Sequence, residues 1–302
     1  MKKLSASAFD ISTKYILNNG RYLEKLLFGH HFISPCPEKI IKAFKMYQNK
    51  DGGYGNGIEP DFRMPFSSPM GTSIAIGNLL AFDSFPEAQE QIQNAVQYLE
   101  STYNETLMGW EPVSKSVNLF PHAPWWHHTE MPNRINGNPT AELIGYMLRY
   151  EKYVTQLDLE MLKEKMIQNF LDAEVFEEHE LFCYIRLYNQ LSDVDQARML
   201  TQLQVAYKAL VNLNPEEWMA YVPYPLKFIK LAEKSIFEET NLAIEENVNF
   251  FIDQLTEVGC ITPNWNWGAY PSEWDIAKRE WTGILTLDAL LTLKKYNAIE
   301  FV

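Results

Sequence analysis

Five stretches of this chain are apolar on nearly every side, and helices with a single apolar stripe run between them. The apolar set reads TSIAIGNLLAF at 72–82, TAELIGYMLRY at 140–150, LFCYIRLY at 181–188, a stretch at 218–232, and WTGILTLDALLTL at 281–293. The striped set is 38–48, 86–103, 157–172, 193–211 and 241–256; in the first of these Ile40, Ile41, Phe44 and Tyr47 share one face. A striped helix has one wet face and one buried face, whereas a helix apolar all round is covered on both sides. No segment shows the two-residue alternation of a strand. Shorter helical pieces at 9–17 and 21–28, split by Asn18-Asn19-Gly20, come first; counted as one pair, they bring the total to six pairs. Half-buried helices alternating with fully buried ones are what an inner ring wrapped by an outer ring requires. The expectation is an all-α chain, an (α/α)6 toroid of alternating inner and outer helices, in a single domain over 1–302. A superhelical solenoid of hairpins shares the pairing but calls for a tighter repeat length. Gly77, Gly145 and Gly283 let neighbours approach closely, and Pro223 and Pro225 must kink or delay the fourth apolar helix.

Connections from an apolar helix to the next striped one are mostly short, but three in the other direction are long: 49–70, 104–139 and 257–279. Long loops without secondary structure of their own are uncommon unless functional. In a toroid all three emerge at one rim. With Trp281 just beyond them, they hold seven of the eight tryptophans.

The first loop, Gln48-Asn49-Lys50-Asp51-Gly52-Gly53-Tyr54-Gly55-Asn56-Gly57-Ile58-Glu59-Pro60-Asp61, has four glycines in six residues and cannot be helix. Its Gln48-x-x-Asp51-Gly52-Gly53-Tyr54-Gly55 resembles the Q-x-x-D-G-G-[FY]-G signature repeated in the terpenoid cyclase and protein prenyltransferase superfamily, where it also follows an outer helix. Partial echoes occur at Leu107-Met108-Gly109-Trp110 and at Gly259–Trp265. The resemblance implies the toroid. It carries less of the chemistry: class II cyclases protonate isoprenoids through D-x-D-D, and Asp193-Val194-Asp195-Gln196 stops one carboxylate short, where a helix start attracts aspartates for capping alone. The family's Asp/Cys/His zinc triad is not matched, and its prenyltransferase β subunits need an α partner.

The candidate acid and base groups are Glu59, Asp61, His122, Glu130, Asp275 and Glu280. Carboxylates serve as acid and base when their environments push their pKa values apart. Asp51 reads as a cap for its own turn; Glu59 and Asp61 alternatively bond a neighbouring loop, with Arg63 available to either. The segment Pro121–Glu130 adds His122, His127 and His128, suited to proton shuttling or metal ligation, but their spacing matches no standard zinc motif and no cofactor is assigned. Tyr54, Trp110, Trp125, Trp126, His127, His128, Trp265, Trp267 and Trp274 are the candidate ligand contacts, with packing of the toroid mouth as the alternative. Glu142 and Arg149 lie seven apart on one face of an apolar helix, so a charge there is either salt-bridged or lines a cavity. His30, His31 and His179 read as helix-end residues.

Composition narrows the partners. A net charge of −13 without a basic cluster repels phosphate backbones, so no nucleic acid is expected. No apolar run is long enough to span a membrane, and no apolar core follows Lys2-Lys3 to make a secretory signal. Cys36, Cys183 and Cys260 show no paired spacing, which suits a reducing cytoplasm. Two functions stay open. One is an enzyme of cyclase-, glycosidase- or lyase-like type acting at the mouth on an isoprenoid-like or carbohydrate ligand, without D-x-D-D. The other is a non-catalytic binding or scaffold protein that retains the toroid.

Overall fold

The computed structural model describes residues 2–129, 136–238 and 241–300. Among these the chain is all-helical, with isolated bridges but no strand. No described helix is long and apolar enough to cross a membrane. The helices divide between two compact units. The first holds α1 (Ala6–Asn19), α2 (Tyr22–Phe32), α3 (Pro37–Lys45), α11 (Asn241–Glu257) and α12 (Pro271–Lys295) with residues 212–226. The second holds α4 (Pro69–Leu79), α5 (Pro86–Thr102), α6 (Gly137–Arg149), α7 (Leu159–Leu171), α8 (Glu178–Asn189) and α9 (Asp193–Leu210) with residues 227–238. A short α10 (Pro225–Ile229) lies where the chain passes from one unit to the other.

The second unit is two-layered. Helices α4, α6 and α8 pack side by side, and α5, α7 and α9 pack on them as hairpin partners. The sequence dictates which layer each joins. Every residue of α6 from Pro139 to Met147 is buried, whereas α5 buries Ala88, Ile92, Ala95, Val96 and Leu99 along one stripe and leaves Glu87, Glu90, Gln93 and Gln97 in water. Gly145 of α6 works as expected: a Cβ there would stand 3.0 Å from the Leu187 Cα of α8, so only a glycine permits this backbone approach without strain. Side-chain caps set the helix starts: Ser68 accepts from Gly71 N, Asp158 from Met161 N and Ser192 from Asp195 N.

In the first unit α12 packs against α1, α2 and α11. Its two ends of chain are tied by Leu4 N to Ala298 O at 2.8 Å and Glu300 N to Leu4 O at 3.1 Å. Two expectations are corrected here. The apolar helix read at 218–232 is reduced to a 3-10 turn at Pro215–Glu217 and the single short α10, because Pro223 and Pro225 remove amide donors. Trp218 is buried instead by its Nε1–H to Asn212 O at 2.9 Å and by Phe250. The last helix starts ten residues before 281, at Pro271, so Trp274 and Asp275 lie on helix rather than loop, and Glu280 lies within the helix rather than at its start.

Helix α5 also captures the connection that leads into α7. The buried Glu100 carboxylate accepts the amides of Thr155, Gln156 and Leu157 at 2.9, 2.7 and 3.2 Å and the Thr155 hydroxyl at 3.1 Å. Burial pushes this carboxyl up, but the amide hydrogen bonds outweigh it and hold the group below its ordinary 4.5. A carboxyl depressed in the folded state contributes stability above its unfolded pKa and loses it as pH falls through the folded value. Urea midpoints taken between about pH 6 and pH 3 are therefore expected to fall more steeply in the native protein than in Glu100→Gln.

Candidate functional site

The glycine-rich loop is a turn hooked onto α5. Asn49 N donates to Gly53 O at 2.8 Å and Gly52 N to Asn49 O at 3.1 Å, with Gly52 at φ +91° in the left-handed region. A side chain at Gly52 would collide with the Asn94 carbonyl of α5. Gln48 Nε2 donates to both Gly52 O and Gln91 O at 2.9 Å, and the wholly buried Tyr54 donates its hydroxyl to Gln91 Oε1 at 3.0 Å. Asp51 accepts from Gly53 N at 3.1 Å and from the Ser67 hydroxyl at 2.7 Å, the turn-capping role. Tyr54, expected at a ligand, is thus a bolt between loop and helix. Burial pushes its hydroxyl far above the ordinary range.

A second device recurs. Tyr54 N donates to the Thr72 hydroxyl of α4 at 3.0 Å, Trp110 N to the Thr140 hydroxyl of α6 at 3.3 Å, and Ile261 N to the Thr286 hydroxyl of α12 at 3.0 Å. All three threonines are buried. These amides belong to the glycine motif and to its two partial echoes, so each long loop is pinned to the helix that follows it. Nothing in the residue types alone marked the threonines; their place one helix downstream of each echo was the available signal.

Within the second unit the first two long loops interlock. Phe62 pairs with His122 in an antiparallel bridge, flanked by Arg63 N to Pro121 O at 2.9 Å and Ala123 N to Asp61 O at 2.8 Å. Met70 N adds a bond to Pro112 O at 3.0 Å. Because side chains alternate along extended backbone, Phe62 and His122 take one face of the bridge while Asp61 and Arg63 take the other. Phe62, Met64, Val113 and Val117 form a small apolar cluster beneath, joined by Met70, Phe120 and Trp126. Glu59 and Asp61 are buried, and Glu59 Oε1 accepts the Asp61 amide at 2.9 Å. His122 Nε2 lies 3.1 Å from His127 Nδ1, and His128 Nε2 lies 3.2 Å from Glu111 Oε2. Glu130 lies outside the described residues.

The tryptophans separate into packed and exposed. Trp110 is buried, with its Nε1–H to Leu99 O at 2.8 Å and its ring edge-on to Tyr103. Trp126 stands edge-on to Phe62, Trp125 is 50% exposed, and Phe66 and Leu119 of the same two loops are exposed as well. In the first unit Trp267 and Trp274 are buried against each other, Trp265 packs edge-on to Trp281 and Tyr221, Asp275 is exposed, and Glu280 is half-buried.

One constellation escaped the residue-by-residue reading. Glu142 of α6 is buried and accepts from the Ser73 hydroxyl of α4 and from Arg186 Nη1 of α8, the latter at 2.6 Å. Arg149, on the same helix face as Glu142, pairs with Asp83 at 2.8 Å at the end of the helix. A lone arginine in LFCYIRLY opposite a lone glutamate in TAELIGYMLRY was the signal, since a buried carboxylate needs a cation. Burial and then the Glu142 charge push the neighbouring Tyr146 hydroxyl and Cys183 thiol well up, which leaves that thiol unreactive. At the α9 start, Asp195 pairs with Lys163 at 3.1 Å and Arg198 at 2.9 Å, so the shortened D-x-D sequence there is a capped and salt-bridged helix terminus.

No family model matches the sequence, and no curated protein or solved structure matches it either.

Two measurements follow from these contacts. Thr72→Val and Thr140→Val each strand a buried loop amide and are expected to cost about 1–3 kcal/mol in urea unfolding. Arg186→Met leaves Glu142 buried without its cation and is expected to cost about 3 kcal/mol, most of it recovered in Glu142→Met/Arg186→Met; a loss in the double variant equal to the sum of the two single losses would show that the pair is not coupled.

Proposed function

We propose that the chain is a single α/α toroid over 1–302, similar in plan to the terpenoid cyclase and prenyltransferase superfamily, that binds a small isoprenoid-like or carbohydrate ligand in the cytoplasm without cyclase or prenyltransferase chemistry. The toroid plan is supported by the two helical layers of the second unit and by the threonine pins repeated at all three motif echoes. The binding rather than catalytic reading rests on one observation: two of the three carboxylates of the first loop are committed to backbone amides. Asp51 holds the Gly53 amide and Glu59 the Asp61 amide, which positions loops and leaves these oxygens engaged. Ligand contact is assigned to the interlocked loops of the second unit, where Trp125 and Phe66 offer exposed rings for stacking on a sugar or covering an apolar chain.

An enzyme of cyclase-, glycosidase- or lyase-like type is the second reading, favoured by the His122–His127 contact and the His128–Glu111 pair, which bring proton-carrying groups to the same loops.

The test is mass spectrometry of small molecules released from protein purified under native conditions, followed by binding of the identified compound to Trp125→Ala. The expected result is an isoprenoid or sugar recovered unchanged after incubation and bound about tenfold more weakly by the variant. Conversion of the compound would replace the binding reading with the enzyme one, and unchanged affinity would move the site away from these loops.

A further inference from the structure

His122 is buried at the bridge between the two interlocked loops, and its Nδ1 lies 2.6 Å from the Phe120 carbonyl oxygen. A carbonyl only accepts, so Nδ1 carries the hydrogen and the neutral ring presents a bare Nε2. That nitrogen faces His127 Nδ1 at 3.1 Å, with the two rings 23° from parallel and 5.3 Å between centroids. His127 is exposed and is carried on a braced turn: Trp126 N bonds Ala123 O at 2.9 Å, His127 N bonds Pro124 O at 3.1 Å, and the Trp126 ring packs on Phe62. Two imidazole nitrogens are therefore held within reach of each other, one rigid and one on a movable surface ring.

We propose that His122 Nε2 and His127 Nδ1 form a two-imidazole site for a divalent transition metal, with copper(II) preferred. Three features point to a metal. The hydrogen bond from the far nitrogen of His122 to a backbone carbonyl is the arrangement that orients a ligating histidine and raises its basicity. The spacing fits: two nitrogens about 2.0–2.1 Å from one ion stand ~2.9 Å apart at a right angle and ~3.3 Å apart at a tetrahedral angle. The separation of 3.1 Å lies between them, so a tilt of the exposed His127 ring suffices. Finally, the ion replaces one shared proton: as the metal enters, His127 moves its hydrogen from Nδ1 to Nε2 through solvent, and no net proton is released. His128 does not contribute, because its Nε2 is on Glu111 and its main chain is held on both sides by Asn118. Among the described residues no group of three or more His, Cys, Asp and Glu is placed to hold a metal, so the two imidazoles are the ligands proposed. Imidazole donors with open positions bind divalent ions in the order that peaks at copper(II), above nickel(II) and zinc(II). The site is independent of the ligand reading above and stands or falls on metal alone.

The test uses the full chain stripped with chelator and titrated with copper(II) and zinc(II) chlorides by calorimetry, with electron paramagnetic resonance on the copper form. The expected result is one copper(II) per chain, zinc(II) weaker, imidazole nitrogen couplings in the spectrum, and affinity lowered at least about tenfold in His127→Ala, an exposed substitution that leaves the fold intact. His122→Gln supplies the second ligand deletion. Copper affinity unchanged in His127→Ala, no stoichiometric binding, or a spectrum without nitrogen couplings would each overturn the proposal.

Discussion

Each long loop hangs from one buried threonine hydroxyl. Thr72, Thr140 and Thr286 accept the amides of Tyr54, Trp110 and Ile261. Helical carbonyls are already used within the helix, so a loop amide brought against its wall needs a side-chain acceptor or loses about 1–3 kcal/mol. The pin fixes where the loop leaves the helical layer, and the rest of the loop then has a defined place to turn. For the first loop that place is the surface of α5, gripped through Gln48 and Tyr54 on Gln91.

Once the loops are pinned, their polar groups have little freedom left. Asp51 and Glu59 close turns within their own loop, and Asp61 contributes its carbonyl to the second loop through Ala123. What the interlocked pair presents outward is aromatic and imidazole: Trp125, Phe66, and His127 behind which His122 is set. The alternation of side chains across the Phe62–His122 bridge separates this face from the Asp61 and Arg63 side. Deeper in the same unit, Glu142 spans three helices by taking Ser73 and Arg186, and the pair is arranged so that neither charge is buried without its counterpart.

Much of this is legible from the chain. The stripe of α5 and the uniform burial of α6 follow directly from which residues are apolar, and the turn role of Asp51 follows from its glycine neighbours. Other readings needed more. The stretch 218–232 is apolar enough for a helix, and only the competition between its prolines and its packing decides that it mostly is not one. Trp274 and Asp275 read as loop because polar residues interrupt the pattern, yet helix α12 runs through them from a proline start.

Periodicity and composition determined most of the helices, their division into half-buried and largely buried kinds, and the first two long loops, because a helix face meets water or protein according to its own residues. Partner choice was beyond them. Spacing put Glu142 and Arg149 on one face of a helix without naming a partner for either; the carboxylate pairs with Arg186 from another helix, and Arg149, at the helix end, pairs with Asp83. Likewise the fate of Tyr54 and Trp110, buried bolts rather than ligand platforms, was decided by which carbonyl, amide and hydroxyl groups the packed layers bring within 3 Å or so of them. Those distances exist only once the layers have come together.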